Sequence, residues 1–153
     1  MAGAVARFTD AARELGFTTQ VVTMDQSTHT ALEAAQAVGC EVGAIVKSLV
    51  LLADGKPLIA LVSGPNRVDM ALLGRELGAT VTMSDARQVK EMTGYSIGGV
   101  PPFGHTERLR TVIDADLLRY EHVWAAAGTS TAVFSIDPDS LIELTAGEVA
   151  HVS

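Results

Sequence analysis

The sequence predicts an α+β fold: a mixed, curved sheet or partly closed barrel surrounded by short helices. Three observations lead there. Short helix-type and strand-type segments alternate without the long, regular βαβ spacing of a doubly wound sheet. Asp54-Gly55 between two apolar runs is a strong hairpin signal. The helical segments are short, and most begin or end on a capping residue. The composition is 48% hydrophobic but only 5% aromatic, so the core is expected to be built from small aliphatic side chains. No internal repeat, linker or shift in composition divides residues 1–153, which are expected to form a single domain of a size that buries a substantial core.

Taken in order, Val5, Phe8, Ala12 and Leu15 recur at helical spacing and Gly16 follows, which predicts an amphipathic helix over residues 3–15. Residues 18–24 read as a short β-branched strand. Thr30 with Glu33 forms the T-x-x-E capping signature of a helix ending at Gly39. Residues 45–53 and 58–62 are the strands of the hairpin. Asp69 caps a helix over residues 70–77 that stops at Gly78, a strand at 80–82 follows, and Ser84 is the expected cap of a helix ending near Met92. Further on, a strand is expected at 111–113, a short helix at 115–120, and strands at 122–126 and 132–136. The last helix has Asp137 as cap and Pro138 at its first position, with Leu141, Ile142 and Leu144 on its buried side.

Between these elements lies one segment that is neither helix nor strand. Gly94, Gly98, Gly99, Pro101, Pro102 and Gly104 fall within GYSIGGVPPFG, a composition that demands a shaped loop. Its glycines either simply turn the chain or, with positive φ at Gly98 and Gly99, converge backbone N–H groups into an anion or oxyanion nest.

The formal charge of −7 argues against a general nucleic-acid coating protein, because phosphate affinity depends on Lys and Arg. A local basic patch at Arg108 and Arg110 remains compatible with it. The single cysteine, Cys40, has no internal disulfide partner and reads as an inert thiol, which points to a reducing cytosol. The N-terminus carries charges throughout, and no window of the sequence approaches an uncharged membrane span.

Several chemistries lack support. There is no G-x-S-x-G, GxGxxG or P-loop, and His29, His105, His122 and His151 show no metal-binding spacing. Asp114 and Asp137 read as turn or cap residues. Lys47, by contrast, interrupts the apolar strand IVKSLVLLA. It either snorkels from a half-exposed strand face or, with the Gly98-Gly99 backbone, provides preorganised donors for one negative or polarised oxygen.

The order V-K-S-L-V, R-V-D before a helix ending E-L-G-A, T-G-Y-S-I-G-G-V-P-P-F-G-H, R-x-x-T-V-I-D and L-I-E-L-T-A-G resembles the YbaK family over about residues 20–150. That family includes the editing domain inserted in bacterial prolyl-tRNA synthetases and its free-standing relatives. The resemblance implies hydrolysis of wrongly charged tRNA, typically tRNA(Pro) bearing alanine or cysteine, without metal or cofactor. It implies a catalytic role for Lys47, Gly98 and Gly99. Val100, Pro101, Pro102, Phe103, Gly104, His105 and Thr30 are expected to bind substrate, with Val100, Pro101 and Pro102 forming a wall that rejects proline. The mischarged acceptor end is the expected partner, beside prolyl-tRNA synthetase. Thr28-His29-Thr30 and His105 differ from the cysteine-specific branch and leave the amino acid open. A catalytically silent module that binds aminoacyl-adenosine-like ligands or a synthetase in the same pocket is the alternative.

Overall fold

The computed structural model describes residues 3–24 and 30–153. The α+β class is as expected, but the strands form two sheets and neither closes into a barrel. The larger sheet begins with the hairpin. Strands β2 (Val46–Ala53) and β3 (Lys56–Ser63) pair antiparallel from Val46↔Ser63 to Ala53↔Lys56, across a turn in which Asp54 and Gly55 both have positive φ. This is the conformation that Asp-Gly favours.

Along β3 every residue from Leu58 to Ser63 is buried, because both faces of the sheet are covered. On one face Val50, Ile59, Leu61 and Ile113 join the main core with Phe8, Phe103 and Phe134. On the other, Leu51, Leu58, Ala60, Val62 and Val112 pack with Leu73.

Helix α1 (Ala4–Glu14) carries Phe8 and Ala12 into the main core, and strand β1 follows at Val22–Thr23. That strand is shorter than the sequence suggested, since only Val22 and Thr23 pair in register, with Val133 and Ala132, and the Met24 amide adds one bond to the Thr131 carbonyl at 2.7 Å. Helix α2 (Ala31–Val38) starts on Thr30, whose hydroxyl accepts from the Glu33 amide at 3.1 Å, and ends on Gly39 at φ +77°.

Helix α3 (Met70–Leu77) is capped by Asp69 and Gly78, and strand β4 (Val81–Met83) pairs with the C-terminal end of β2. Helix α4 (Ala86–Thr93) corrects one expectation. Asp85, not Ser84, is its cap and closes a capping box with Gln88, while the buried Ser84 hydroxyl donates to the Val50 carbonyl. Two adjacent residues can each cap; burial of Ser84 against β2 leaves the role to Asp85.

After the Gly/Pro loop, strand β5 (Arg110–Asp114) lies parallel to β3, and a 3₁₀ turn (Ala115–Arg119) leads to β6 (Val123–Ala126). Strand β7 (Ala132–Ile136) sits between β1 and β6 in the smaller sheet. Helix α5 (Pro138–Thr145) begins on Asp137, whose carboxylate accepts from the Ser140 amide at 2.9 Å.

A strand the sequence did not announce, β8 (Glu148–Ala150), completes the larger sheet in the order β4-β2-β3-β5-β8. It is short and partly exposed, and only its parallel pairing with β5 makes it a strand.

Candidate active site

The two sheets meet imperfectly, and the gap is a cleft. Strand β4 covers β2 only at Leu51, Leu52 and Ala53, while β6 touches the start of β2 at a single bridge, Ile45↔Trp124. Between them the edge of β2 stays open. A cavity of about 330 Å³ sits there, floored by Val46, Lys47, Ser48 and Leu49. Thr30, Ala31 and Ala34 of the α2 region wall one side; Ile97, Gly98 and Val100 of the Gly/Pro loop contribute another. Trp124, Thr129, Ser130 and Val133 belong to the β6–β7 hairpin.

Lys47 is half-buried and is held by a defined chain of partners. Its ammonium donates to the Asn66 carbonyl in the turn after β3. The Asn66 side-chain amide in turn donates to Asp114 at 2.9 Å and to Asp116 at 2.7 Å. Asp114 is 2% exposed and also accepts from the Ser63 and Asp116 amides, each at 3.0 Å. Sheet register explains the grouping. Lys47 pairs with Val62, and the step beyond Leu61↔Ile113 brings Asp114 to the other side of Val62, on the same face. Burial lowers the lysine's pKa from its ordinary value, Arg67 lowers it further, and Asp114 opposes both.

The Gly/Pro loop does not act as one wall. Its first part is a β-turn in which the Gly99 amide donates to the Ser96 carbonyl at 3.0 Å, with Gly98 at φ +91° and Ile97 exposed at the tip. This is type II geometry, which requires glycine at the third position.

Gly98 therefore has the expected positive φ, whereas Gly99 does not and its amide is committed to the turn. Gly99 is needed for a different reason. A Cβ there would lie 2.7 Å from the Gly128 carbonyl oxygen, and one on Gly128 would lie 2.7 Å from the Ala4 carbonyl oxygen. The loop, the β6–β7 hairpin and the start of α1 are thus stacked backbone on backbone.

The second part of the loop turns away. Val100 lines the cleft, but Pro102, Phe103, Gly104 and His105 border a separate cavity of about 190 Å³ shared with Ala11, Leu15, Leu109 and Leu144. The residues expected to bind substrate are thus divided between two cavities. Phe103 is 4% exposed and stacks among Phe8, Phe17 and Phe134, and Pro101 is buried without lining the cleft. His105 donates from Nε2 to the Pro101 carbonyl at 2.6 Å, and burial pushes its pKa down. It fastens the loop to itself.

Thr30 does line the cleft, though its hydroxyl is engaged with Glu33 at the start of α2; Thr28 and His29 lie outside the described residues. What the sequence reading missed is Ser48. Its Oγ is buried and has no hydrogen-bond partner, an arrangement that typically costs about 1–3 kcal/mol. Among the described residues no other side-chain nitrogen or oxygen is in that position.

The profile of the aminoacyl-tRNA editing domain matches residues 25–144. The chain belongs to this family. A crystal structure provisionally assigned as a trans-editing enzyme for prolyl-tRNA synthetase superposes with a TM-score of 0.95 at 44% identity, covering 100% of this chain and 98% of that one. YwhH of Bacillus subtilis strain 168, itself uncharacterised, is 29% identical over 130 residues, 84% of this chain and 83% of its own. The proline–tRNA ligase of Maridesulfovibrio salexigens is 36% identical over 77 residues, 50% of this chain but 13% of the ligase. The editing domain is thus related to one segment of prolyl-tRNA ligases and spans only a small part of their length.

Within the editing domain the remaining candidates stand apart from the cleft. Burial raises the Cys40 pKa, as suits an inert thiol. Asp137 is a helix cap whose bonds to Ser140 hold its carboxyl below the usual range. No helix among the described residues is long and apolar enough to cross a membrane.

Proposed function

We propose that this editing domain is a trans-acting deacylase that hydrolyses the ester of mischarged tRNA, with tRNA(Pro) carrying alanine or cysteine as its substrate. The observation that carries this reading is the cleft itself. Lys47 and the Gly98 turn share it, and no carboxylate, imidazole or thiol lines it among the described residues.

Such a site suits a substrate that is already activated. An aminoacyl ester needs a positioned water and stabilisation of the developing oxyanion, and one preorganised donor contributes about 3 kcal/mol. Lys47, fixed by Asn66, orients the ester oxygen, while backbone groups of Gly98 and Val100, set by the turn that Gly99 closes, contact the carbonyl and the attacking water. The ester then splits into free amino acid and tRNA, the water's proton passing to the departing ribose oxygen. No redox step or cofactor enters this chemistry, and turnover is expected to survive a metal chelator.

Selectivity follows from size. Attraction for one methyl group discriminates weakly, so a small pocket excludes proline more effectively than it attracts alanine. Val100 is the member of the Gly/Pro wall that reaches the cleft. The net charge of −7 gives little general affinity for phosphate, which fits contact with the acceptor end alone, beside prolyl-tRNA synthetase.

The test is release of amino acid from Ala-, Cys-, Ser- and Thr-tRNA(Pro), with Pro-tRNA(Pro) as control, by wild type and Lys47→Ala. Release from a mischarged species that falls at least about 100-fold in the variant is expected. Binding that weakens without any turnover in wild type identifies a silent module instead.

A further inference from the structure

Strand alternation determines what the open edge of β2 presents. In β2 the Val50 carbonyl is directed away from β3, since it accepts from Ser84 on the β4 side. Asp54 follows the same parity, its amide donating to Thr80 at 2.9 Å on that side. The β2–β3 register runs without a bulge, so the backbone groups of Ser48 and Val46 face the same edge. At Ser48 that edge is the cleft, because β4 reaches no further than Leu51. The carbonyl of Ser48 therefore opens onto the cavity beside its own orphaned hydroxyl, with the Val46 carbonyl one pleat away. Native proteins rarely bury an unpartnered hydroxyl, and each one calls for an explanation; Ser48 lines the cleft, where a bound ligand supplies one.

A row of oxygens needs a ligand rich in donors. Within the aminoacyl group only the α-amino group carries several N–H bonds on one atom. Lys47 does not compete for these oxygens, for its ammonium already donates to the Asn66 carbonyl and otherwise serves the ester oxygen. We infer that Ser48 is a substrate-anchoring residue, whose hydroxyl and backbone carbonyl hold the α-amino group of the bound aminoacyl ester at the open edge of β2. This rests on reading the cleft as an aminoacyl-ester site. Every amino acid ester carries that group, so Ser48 sets affinity and orientation and leaves the choice of side chain to Val100.

The experiment compares wild type with Ser48→Ala in three readouts. The first is the unfolding midpoint, expected at or above the wild-type value because the variant removes a hydroxyl that nothing in the chain satisfies. The second is deacylation of the mischarged tRNA panel, expected to fall about tenfold for every amino acid alike.

The third is binding of two non-hydrolysable probes: 3′-deoxy-3′-(L-alanylamino)adenosine and its propionylamino counterpart, which lacks the α-amino group. Wild type should prefer the alanyl probe about tenfold and Ser48→Ala should not.

Unchanged deacylation in Ser48→Ala, or a preference for the alanyl probe that survives the substitution, overturns the inference while leaving the deacylase reading intact. So does a lower unfolding midpoint with equal weakening toward both probes. If wild type releases no amino acid yet shows the Ser48-dependent preference, the deacylase reading falls and the anchor stands. If wild type binds neither probe and releases no amino acid, both fall.

Discussion

The Gly/Pro loop borders two cavities, and the difference between them separates a site from a seam. On the Lys47 side the loop ends in an exposed turn, the neighbouring strand edge is unpaired, and a buried hydroxyl lacks a partner. On the His105 side the polar groups are closed on themselves. Tyr95 donates to the Gly104 carbonyl at 3.1 Å, Thr93 bonds the chain on both sides of α4's end, and His105 is bonded to Pro101. Chemistry needs the first kind of surface, because groups already satisfied within the chain gain nothing from a ligand. The second cavity is where the loop is anchored; the first is where it is presented.

The contrast is broken most severely through Asp114. Its two oxygens accept three N–H donors, from Ser63, Asn66 and Asp116. Asp114→Asn places an amide N–H₂ against at least one of those donors, at a cost of about 1–3 kcal/mol in stability. It also weakens the hold on Asn66, which keeps its bond to Asp116, and so loosens Lys47. Deacylation is expected to drop about tenfold or more at temperatures where the variant remains folded. The lysine's titration, followed by NMR, should shift to lower pH, since the carboxylate that opposes its depressed pKa is gone. A variant that is destabilised but keeps both wild-type turnover and the wild-type lysine titration would show that the Asp114 network serves the fold alone.

How much of this was readable beforehand depended on distance along the chain. Thr30, Asp69, Asp137 and the Asp54-Gly55 turn were legible because each acts on backbone within four residues. Lys47 was legible as a charge in an apolar strand. Ser48 was not, because a serine in a strand is unremarkable until the edge beside it is known to be unpaired. The split of the loop was equally hidden, as it follows from which strands flank Val100 and which helix meets Phe103. Strand β8 depends wholly on a distant partner, and the choice between Ser84 and Asp85 as cap was made by the carbonyl of Val50, thirty-four residues earlier.

Gly99 offers a finer test of how the turn is presented. Sequence composition suggested a glycine kept for positive φ, but the structure shows one kept for lack of a side chain. Gly99→Ala would press a methyl group into the backbone at Gly128 and Thr129, both of which approach to 2.7 Å. The loop must lift off the hairpin, with an expected loss of about 1–3 kcal/mol, the usual range for overpacking. Because Ile97, Gly98 and Val100 move with it, turnover should fall by more than the unfolded fraction explains. Comparison with Gly98→Ala sharpens the point. There a Cβ meets open space, and only the strained φ of +91° opposes it. A Gly99→Ala variant as stable as wild type would show that crowding against the hairpin is not what excludes a side chain there.

The smallest effect belongs to His105, and it is a matter of pH. Burial favours its neutral form, so the folded pKa lies below that of the unfolded chain. The unfolded state then binds the proton first as pH falls. His105 contributes no penalty above the unfolded pKa of about 6.5, and stability declines as pH drops below it toward the folded value. Glu14 and Arg108 border the same cavity with opposite charges. His105→Gln keeps an N–H donor for the Pro101 carbonyl but carries no titrating proton. Denaturant midpoints measured between pH 8 and pH 5 should lose that part of the slope in the variant, while its deacylation at pH 7 stays within about threefold of wild type. A large loss of turnover would place His105 among the groups that shape the cleft, and the separation of the two cavities would then fail as an account of the loop.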